Sequence, residues 1–145
     1  MTALLTTAMF RSAIALCFIS ILSFIGCSPH SSNAEEPADI VVSMVALLAN
    51  PAEAEGRVIQ VSGYLQHDVG LKLYLTRDHA EIADAVSAIA VQMPDASVVA
   101  CAGAYAMVVG KFGRSEFGGY EILETWRISR WDPELERCWT RKDTR

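Results

Sequence analysis

One stretch of the chain, residues 56–65, constrains the fold more than any other. β-branched residues fill it, as is typical of a strand, and Gly63 interrupts it near the end. A glycine inside a strand usually marks a bulge or a sharp bend, because a residue without Cβ tolerates the crowding there. Residues 108–112 repeat the pattern around Gly110. Two strands that each carry a bend predict a small closed barrel.

Alternating apolar residues and turn signals predict the remaining strands. In chain order the five predicted strands are residues 56–65, 71–76, 89–93, 105–113 and 120–130, with a turn over residues 67–70 between the first two. In the fifth strand the alternation slips at Leu123 and Glu124, and a bulge there would let Ile122, Trp126 and Ile128 share one apolar role.

The second strand is expected to bury every other residue. Leu71, Leu73 and Leu75 should face the interior, and Lys72, Tyr74 and Thr76 should face outwards.

Two short helices are predicted beside the barrel. Ser43 is suited to cap a helix over residues 44–50, which ends at the proline that follows. Asp78 would cap a second helix, with Ile82 and Val86 as its apolar edge. The predicted fold class is therefore all-β with minor α content, a small five-stranded barrel with one or two short helices.

The first 26 residues have the composition of an export signal. Arg11 precedes an apolar run over residues 13–26. That run is shorter than the roughly 18 to 20 residues that a spanning helix needs. A cleaved signal is therefore favoured over a transmembrane anchor.

The end of this run, Phe24-Ile25-Gly26-Cys27, resembles the lipobox of bacterial lipoproteins. The resemblance implies cleavage before Cys27 and a diacylglycerol group on its sulfur. Ser28 in the next position resembles the outer-membrane class of diderm lipoproteins, which implies the periplasmic face of the outer membrane. The alternative is cleavage by an ordinary signal peptidase with Cys27 incidental.

Polar residues follow the cysteine and suit a flexible tether without a packed structure. The predicted organisation is a lipoprotein signal peptide over residues 1–26, a polar tether over residues 27–38 and a folded domain with a C-terminal tail over residues 39–145.

The cysteines that remain after export predict a disulfide. Cys17 leaves with the signal and Cys27 would be lipidated, so Cys101 and Cys138 stay as a pair in an oxidising compartment. A metal site is disfavoured because the three histidines form no ligand pattern with this pair. The remaining alternative is two reduced, buried thiols.

The charge balance argues against nucleic acid as a partner. The chain has 12 basic and 17 acidic residues, and its formal net charge of −5 becomes −6 once Arg11 is lost with the signal. Phosphate backbones attract proteins through clustered Lys and Arg. An acidic, exported domain is not expected to bind them.

Five curled strands with bends at Gly63 and Gly110 resemble the OB-fold, a five-stranded Greek-key barrel. Residues 43–51, 56–65, 73–75 and 109–112 carry a closer resemblance to bacterial OB-like proteins of unassigned role. One departure concerns the helix that OB-folds commonly place between strands three and four, because residues 94–103 are too few for one of normal length.

The resemblance also implies a ligand face. OB-folds commonly bind ligands on the outer face of strands two and three and on two neighbouring loops. By strand position this face comprises Tyr64, Lys72, Tyr74, Gln92 and Phe117. Aromatic residues with polar tips suit sugar or peptide surfaces, whereas the alternative is that Tyr64 and Tyr74 only cover the barrel.

The sequence contains no recognisable motif for catalysis. The neighbouring glutamates of the chain lie in polar stretches typical of solvated surface, and no serine or cysteine has a nucleophile signature around it. No catalytic residue, metal or cofactor is therefore predicted. The expected function is a non-catalytic, lipid-anchored module that binds an envelope protein or glycan. The alternative is an envelope hydrolase or a metal-dependent enzyme.

Overall fold

A computed structural model describes residues 37–131 and 135–142. Within these ranges the strands and α-helices are β1 (Ile40–Val41), α1 (Met44–Ala49), β2 (Val58–Asp68), β3 (Gly70–Tyr74), α2 (Arg77–Glu81), β4 (Ala88–Val91), β5 (Ala104–Arg114), β6 (Tyr120–Trp131) and β7 (Leu135–Thr140). Short 3₁₀-helices lie at Pro51–Ala54, Ala85–Ser87 and Ala96–Cys101. The predicted signal peptide, Cys27 and most of the tether lie outside the described residues.

Five of the strands form a closed barrel in the order β2-β3-β4-β6-β5, and β5 pairs back to β2. β4 and β6 run parallel, and the other neighbours in the barrel run antiparallel. The paired residues can be followed from His67 of β2 through β3, β4, β6 and β5 back to β2. The path returns at Arg57, ten residues before the residue from which it started. Such a stagger tilts the strands, as closure requires. The predicted fold class is confirmed, and the barrel is compatible with an OB-like one.

Alternate residues of the barrel strands fill its interior, and α1 adds to the same core. Met44 and Leu47 of α1 are both buried there, together with the predicted Leu71 and Leu73 of β3. Ser43 caps α1 as predicted, because its hydroxyl accepts a hydrogen bond from the backbone N–H of Ala46 at 3.1 Å. The helix ends at Ala49, one residue before the predicted end.

Both predicted bend glycines lie where the backbone of another strand comes too close for a side chain. A Cβ on Gly63 would lie 2.5 Å from the carbonyl oxygen of Tyr74, and a Cβ on Gly110 would lie 2.3 Å from that of Glu124. Real Cβ atoms essentially never approach within 3.0 Å. The crowding that the sequence predicted at these two glycines is therefore present.

β6 contains the predicted bulge. Leu123 has no partner on β5, although its two neighbours do, and Trp126 forms a second irregularity of the same kind. Ile122 and Ile128 are fully buried as predicted. Trp126 is only half-buried and is not part of the core. It is the extra residue of the second irregularity, because its neighbours Thr125 and Arg127 pair with consecutive residues of β5.

The second helix differs from its prediction. Thr76 rather than Asp78 is the N-cap, since its hydroxyl accepts from the backbone N–H of His79 at 3.4 Å. Ile82 and Val86 were expected to pack as an apolar edge, but they are 76% and 85% exposed. The α-helix ends at Glu81, so neither residue belongs to it, and Val86 lies in the 3₁₀-helix Ala85–Ser87 instead.

Two connections differ from their predictions. β2 extends to Asp68, which pairs with Gly70, so the hairpin turn has Val69 as its single unpaired residue. Gly70 has a φ of +96°, a conformation that suits glycine. β4 ends at Val91 instead of residue 93. The connection that was judged too short for a normal helix contains the 3₁₀-helix Ala96–Cys101.

The tail packs back onto the domain, as its tryptophans and Cys138 suggested, but it does so as a strand that was not predicted. β7 runs antiparallel to the second half of β6. β1 was also missed and runs parallel to the start of β2. Both strands add to the barrel from outside its closed path.

In the described part of the chain, no helix combines the length and the apolar character needed to cross a membrane.

Candidate functional site

The tyrosines of the predicted ligand face lie on neighbouring strands. Tyr64 of β2 pairs with Tyr74 of β3 on one side and with Tyr105 of β5 on the other. The rings of Tyr64 and Tyr105 meet edge to face, with their centroids 5.4 Å apart. The hydroxyl of Tyr105 accepts a hydrogen bond from the backbone N–H of Arg77 at 3.4 Å. These contacts join the outer surface of the barrel to the start of α2.

Tyr74 does not face solvent, contrary to the prediction. Its side chain has 0% exposure. β3 ends at Tyr74, and α2 begins three residues later and packs against β2 and β3, so the chain covers its own strand end. The Tyr74 hydroxyl has no hydrogen-bond partner among the described residues. The position of Tyr74 matches the alternative to a ligand-binding role, which was that this tyrosine only covers the barrel.

The other three predicted residues differ in their surroundings. Lys72 is half-buried on β3, two residues from Tyr74, and pairs with Ala90 of β4, two residues before Gln92. Gln92 follows β4 and borders a groove. Phe117 is 98% exposed in the loop between β5 and β6. Strand pairing therefore brings Lys72 near Gln92, and Gln92 is the predicted residue that lines the groove.

That groove lies at a gap in the strand pairing of β6. β5 occupies one edge of β6. On the other edge β4 pairs with Glu121 and Ile122, and β7 pairs with residues 127–131. Gln92 N donates to the Ile122 carbonyl at 2.8 Å, and Arg141 N donates to the Trp126 carbonyl at 2.8 Å. Residues 123–125 have no strand partner on this edge within the described ranges.

The cavity over the gap has a volume of about 390 Å³. We call it the tail groove, and three segments line it. They are residues 123–125 of β6, then Gln92, Pro94 and Asp95 after β4, and Trp139, Arg141 and Lys142 at the end of the chain. Aromatic, amide, hydroxyl and charged groups of both signs therefore meet in one place.

Asp95 joins the segment after β4 to the end of the chain across the tail groove. Its carboxylate accepts a hydrogen bond from Trp139 Nε1 at 3.2 Å. It also accepts from the hydroxyl of Ser97 and from the Ser97 backbone N–H. The Ser97 hydroxyl is the main cause that holds the pKa of Asp95 below its ordinary value, with the Ser97 backbone next and Trp139 contributing less. The carboxylate is thus ionised at neutral pH.

The middle of the tail groove is also fixed by hydrogen bonds. Arg141 donates to a carboxylate oxygen of Glu124 at 3.1 Å. The hydroxyl of Thr125 donates to the backbone carbonyl of Gln92 at 2.9 Å, and Thr125 is buried. The first contact joins β6 to the tail and the second joins β6 to the end of β4.

The predicted disulfide between Cys101 and Cys138 is present, with the two Cα atoms 5.8 Å apart. Cys101 ends the 3₁₀-helix that begins one residue after Asp95, and Cys138 precedes Trp139. The covalent bond and the Asp95–Trp139 hydrogen bond therefore link the same two segments. Because Cys138 and Trp139 are adjacent, these two links hold the tail in one position against the barrel.

A second cavity of about 410 Å³ lies beside β1 and α1. Val41, Val45 and Leu75 line it together with Gln60 and Ser62. None of the residues that line it is titratable. It offers apolar contact and two neutral polar groups, so it carries less chemistry than the tail groove.

Metal ligands do not gather in the described part of the chain, where no group of three or more His, Cys, Asp or Glu is placed to hold an ion. The tail groove contains two carboxylates, Asp95 and Glu124, and each accepts hydrogen bonds from donors of the same chain. No histidine lines the groove. This arrangement binds polar groups more readily than it supplies a general acid and base.

Sequence reasoning named Gln92 but missed the residues that make its surroundings a site. Neither Asp95 nor Arg141 was singled out. The cysteine pair was the signal that could have found them, because a bond from Cys101 to Cys138 places Trp139 beside the connection that follows β4.

Comparisons of this chain with protein-family models, with curated proteins and with solved structures find no match.

Proposed function

We propose that this chain is a non-catalytic binding module, anchored by a lipid on Cys27 at the periplasmic face of a bacterial outer membrane. Its ligand site is the tail groove, and its partner is an envelope protein or a glycan. The observation that carries the proposal is the groove itself, where one indole, one amide and four charged side chains meet in a cavity of about 390 Å³. Ligand sites typically have volumes of roughly 300 to 1,000 Å³ and a few fixed polar groups.

The rigid frame of the tail groove supports binding as its role. A disulfide and a side-chain hydrogen bond hold the tail, and a second pair of contacts holds β6 against β4 and Arg141. A preformed site loses less conformational entropy when a ligand binds. The carboxylates are engaged within the chain, which favours recognition over proton transfer.

The anchor is proposed from the sequence. The lipobox-like ending at Cys27 and the polar residues after it supply an acylated cysteine and a spacer. Two or more acyl chains give stable membrane attachment, whereas a single chain binds only marginally.

Replacement of Cys27 with alanine is expected to move the protein out of the detergent phase. Wild type should partition with the detergent in a temperature-induced phase separation, and the variant should remain in the aqueous phase. Cys17→Ala is the matched control, because Cys17 lies within the predicted signal and its loss should leave partitioning unchanged. Equal release of wild type and Cys27→Ala into the aqueous phase would refute the anchor.

Blocking the tail groove is expected to weaken partner capture. Gln92 is exposed and lines the groove, so Gln92→Arg fills it with a long charged side chain without removing a buried group. After crosslinking in the native envelope, the partner recovered by wild type should fall by about tenfold, the change that roughly 1.4 kcal/mol of binding free energy produces.

Ser62→Arg is the matched control for this experiment. Ser62 is exposed, lies on β2 and lines the second cavity instead. Recovery should be unchanged in this variant. Equal recovery by Gln92→Arg and wild type, or loss in Ser62→Arg alone, would contradict the assignment of the site.

A further inference from the structure

The tail groove contains cationic donors that the chain itself does not use. Arg141 has five N–H donors and uses one of them for Glu124. The ammonium of Lys142 makes no hydrogen bond within the described ranges, and its charge interacts with that of Asp95. Asp95 and Glu124 balance these two positive charges, and both carboxylates already accept hydrogen bonds from the chain. The groove is therefore neutral as a whole and offers unused donors to an anionic group beside Arg141 and Lys142.

The shape of the tail groove suits an extended chain that ends inside it. Residues 123–125 of β6 are a strand without a partner on one edge, and an extended peptide can pair with such an edge. Both ends of the gap are closed, because Gln92 bonds to Ile122 and Arg141 bonds to Trp126. A polypeptide cannot continue along the edge past either contact. The gap therefore fits a chain terminus and excludes a continuous segment.

From these two observations we propose that the tail groove binds the carboxyl terminus of a peptide, an inference that rests on the function proposed above. Arg141 and Lys142 bind the terminal carboxylate, and Trp139 and Leu123 contact the last side chain. Charge-assisted bonds to a carboxylate are about twice as strong as neutral ones, and capture of a terminal carboxylate is a recurring mode of peptide recognition. A cavity of about 390 Å³ holds only the last few residues.

The test uses the full chain in detergent solution and two peptide pools. One pool contains N-acetylated tetrapeptides with free carboxyl ends, and the other contains the same sequences as carboxamides with an isotope-labelled acetyl group. Both are mixed with the protein over a filter that passes free peptides, and mass spectrometry measures what is retained. Wild type should retain the acids about tenfold more than the amides, the change expected for loss of one charge-assisted hydrogen bond.

Two double variants assign the effect to the tail groove. In Arg141→Gln/Lys142→Gln the ratio of retained acid to amide should fall to about one. Arg57→Gln/Lys111→Gln removes the same charge from exposed positions outside the groove and should keep the wild-type ratio. Equal unfolding midpoints of the two variants exclude a folding defect as the cause. A wild-type ratio near one, or an unchanged ratio in the groove variant, would overturn the inference.

A third probe separates this inference from the proposed function. Tetramers of N-acetylglucosamine and of galacturonic acid are mixed with the protein in the same way. Retention of either sugar by wild type and not by Gln92→Arg, without selection for peptide acids, overturns the carboxyl-terminus proposal and leaves the groove as a binding site. If wild type does not select peptide acids over amides, and Gln92→Arg captures the partner as well as wild type does, both the carboxyl-terminus proposal and the assignment of the groove as the binding site are overturned.

Discussion

Removal of the disulfide is expected to lower the free energy of unfolding by about 4 kcal/mol. The two cysteines are 37 residues apart in sequence, and the chain-entropy model gives about this value for a closed loop of that length. A domain of this size has a total stability of roughly 5 to 15 kcal/mol. The experiment compares the unfolding midpoint in urea of wild type and of Cys101→Ala/Cys138→Ala.

Reduction provides the control for this comparison. Wild type in excess dithiothreitol should unfold at the midpoint of the double variant, and the double variant should not respond to the reductant. Because Cys101 is 1% exposed, alanine avoids placing a hydroxyl in the core. The same midpoint for oxidised and reduced wild type would show that the bond does not stabilise the domain.

Gly110→Ala is expected to destabilise the barrel by about 3 kcal/mol. The added Cβ would lie 2.3 Å from the Glu124 carbonyl oxygen and 2.6 Å from Cγ2 of Ile122. The first of these atoms belongs to the backbone, so relief of the clash requires β5 and β6 to move apart. Thermal unfolding of the purified domain measures the change.

Gly119→Ala is the matched control in the loop that follows the same strand. The nearest atom to its added Cβ is the Ser115 hydroxyl at 3.9 Å, an ordinary contact. Its stability should stay within about 0.5 kcal/mol of wild type. Equal effects of the two substitutions would show that close strand packing at Gly110 is not what requires glycine there.

The barrel could be predicted because its signals are local. The glycines at 63 and 110 interrupt β-branched runs, and the slip at Leu123 interrupts a regular alternation. Each marks either the close approach of another strand or a bulge, and the signal itself lies within a single strand. Such events need no knowledge of the neighbouring strand to be recognised, and the structure has them at the predicted positions.

The burial of Tyr74 could not be predicted in the same way. Alternation places it on the outer face of β3, and an outer face is usually solvated. α2 begins three residues after Tyr74 and packs against β2 and β3, so the chain folds back over this end of the strand. The contact that decides its burial is therefore tertiary and leaves no periodic signal in the sequence.

The tail groove escaped prediction for a related reason. Its three segments are separated by 27 residues and by 13 residues along the chain, and the pairing of both β4 and β7 with β6 brings them together. β7 carries charged residues typical of an exposed tail. The cysteine pair was the one long-range constraint in the sequence, and it located the tail without indicating that a cavity lies beside it.

The most direct test of the central claim places a photo-crosslinking amino acid at single positions of the chain in its native envelope. Position 92 lies in the tail groove, whereas positions 72 and 117 lie on the surface that the sequence indicated. Irradiation should give a covalent adduct of higher mass from position 92 and none from the other two. An adduct from position 72 or 117, with none from position 92, would contradict the claim that the groove is the binding site.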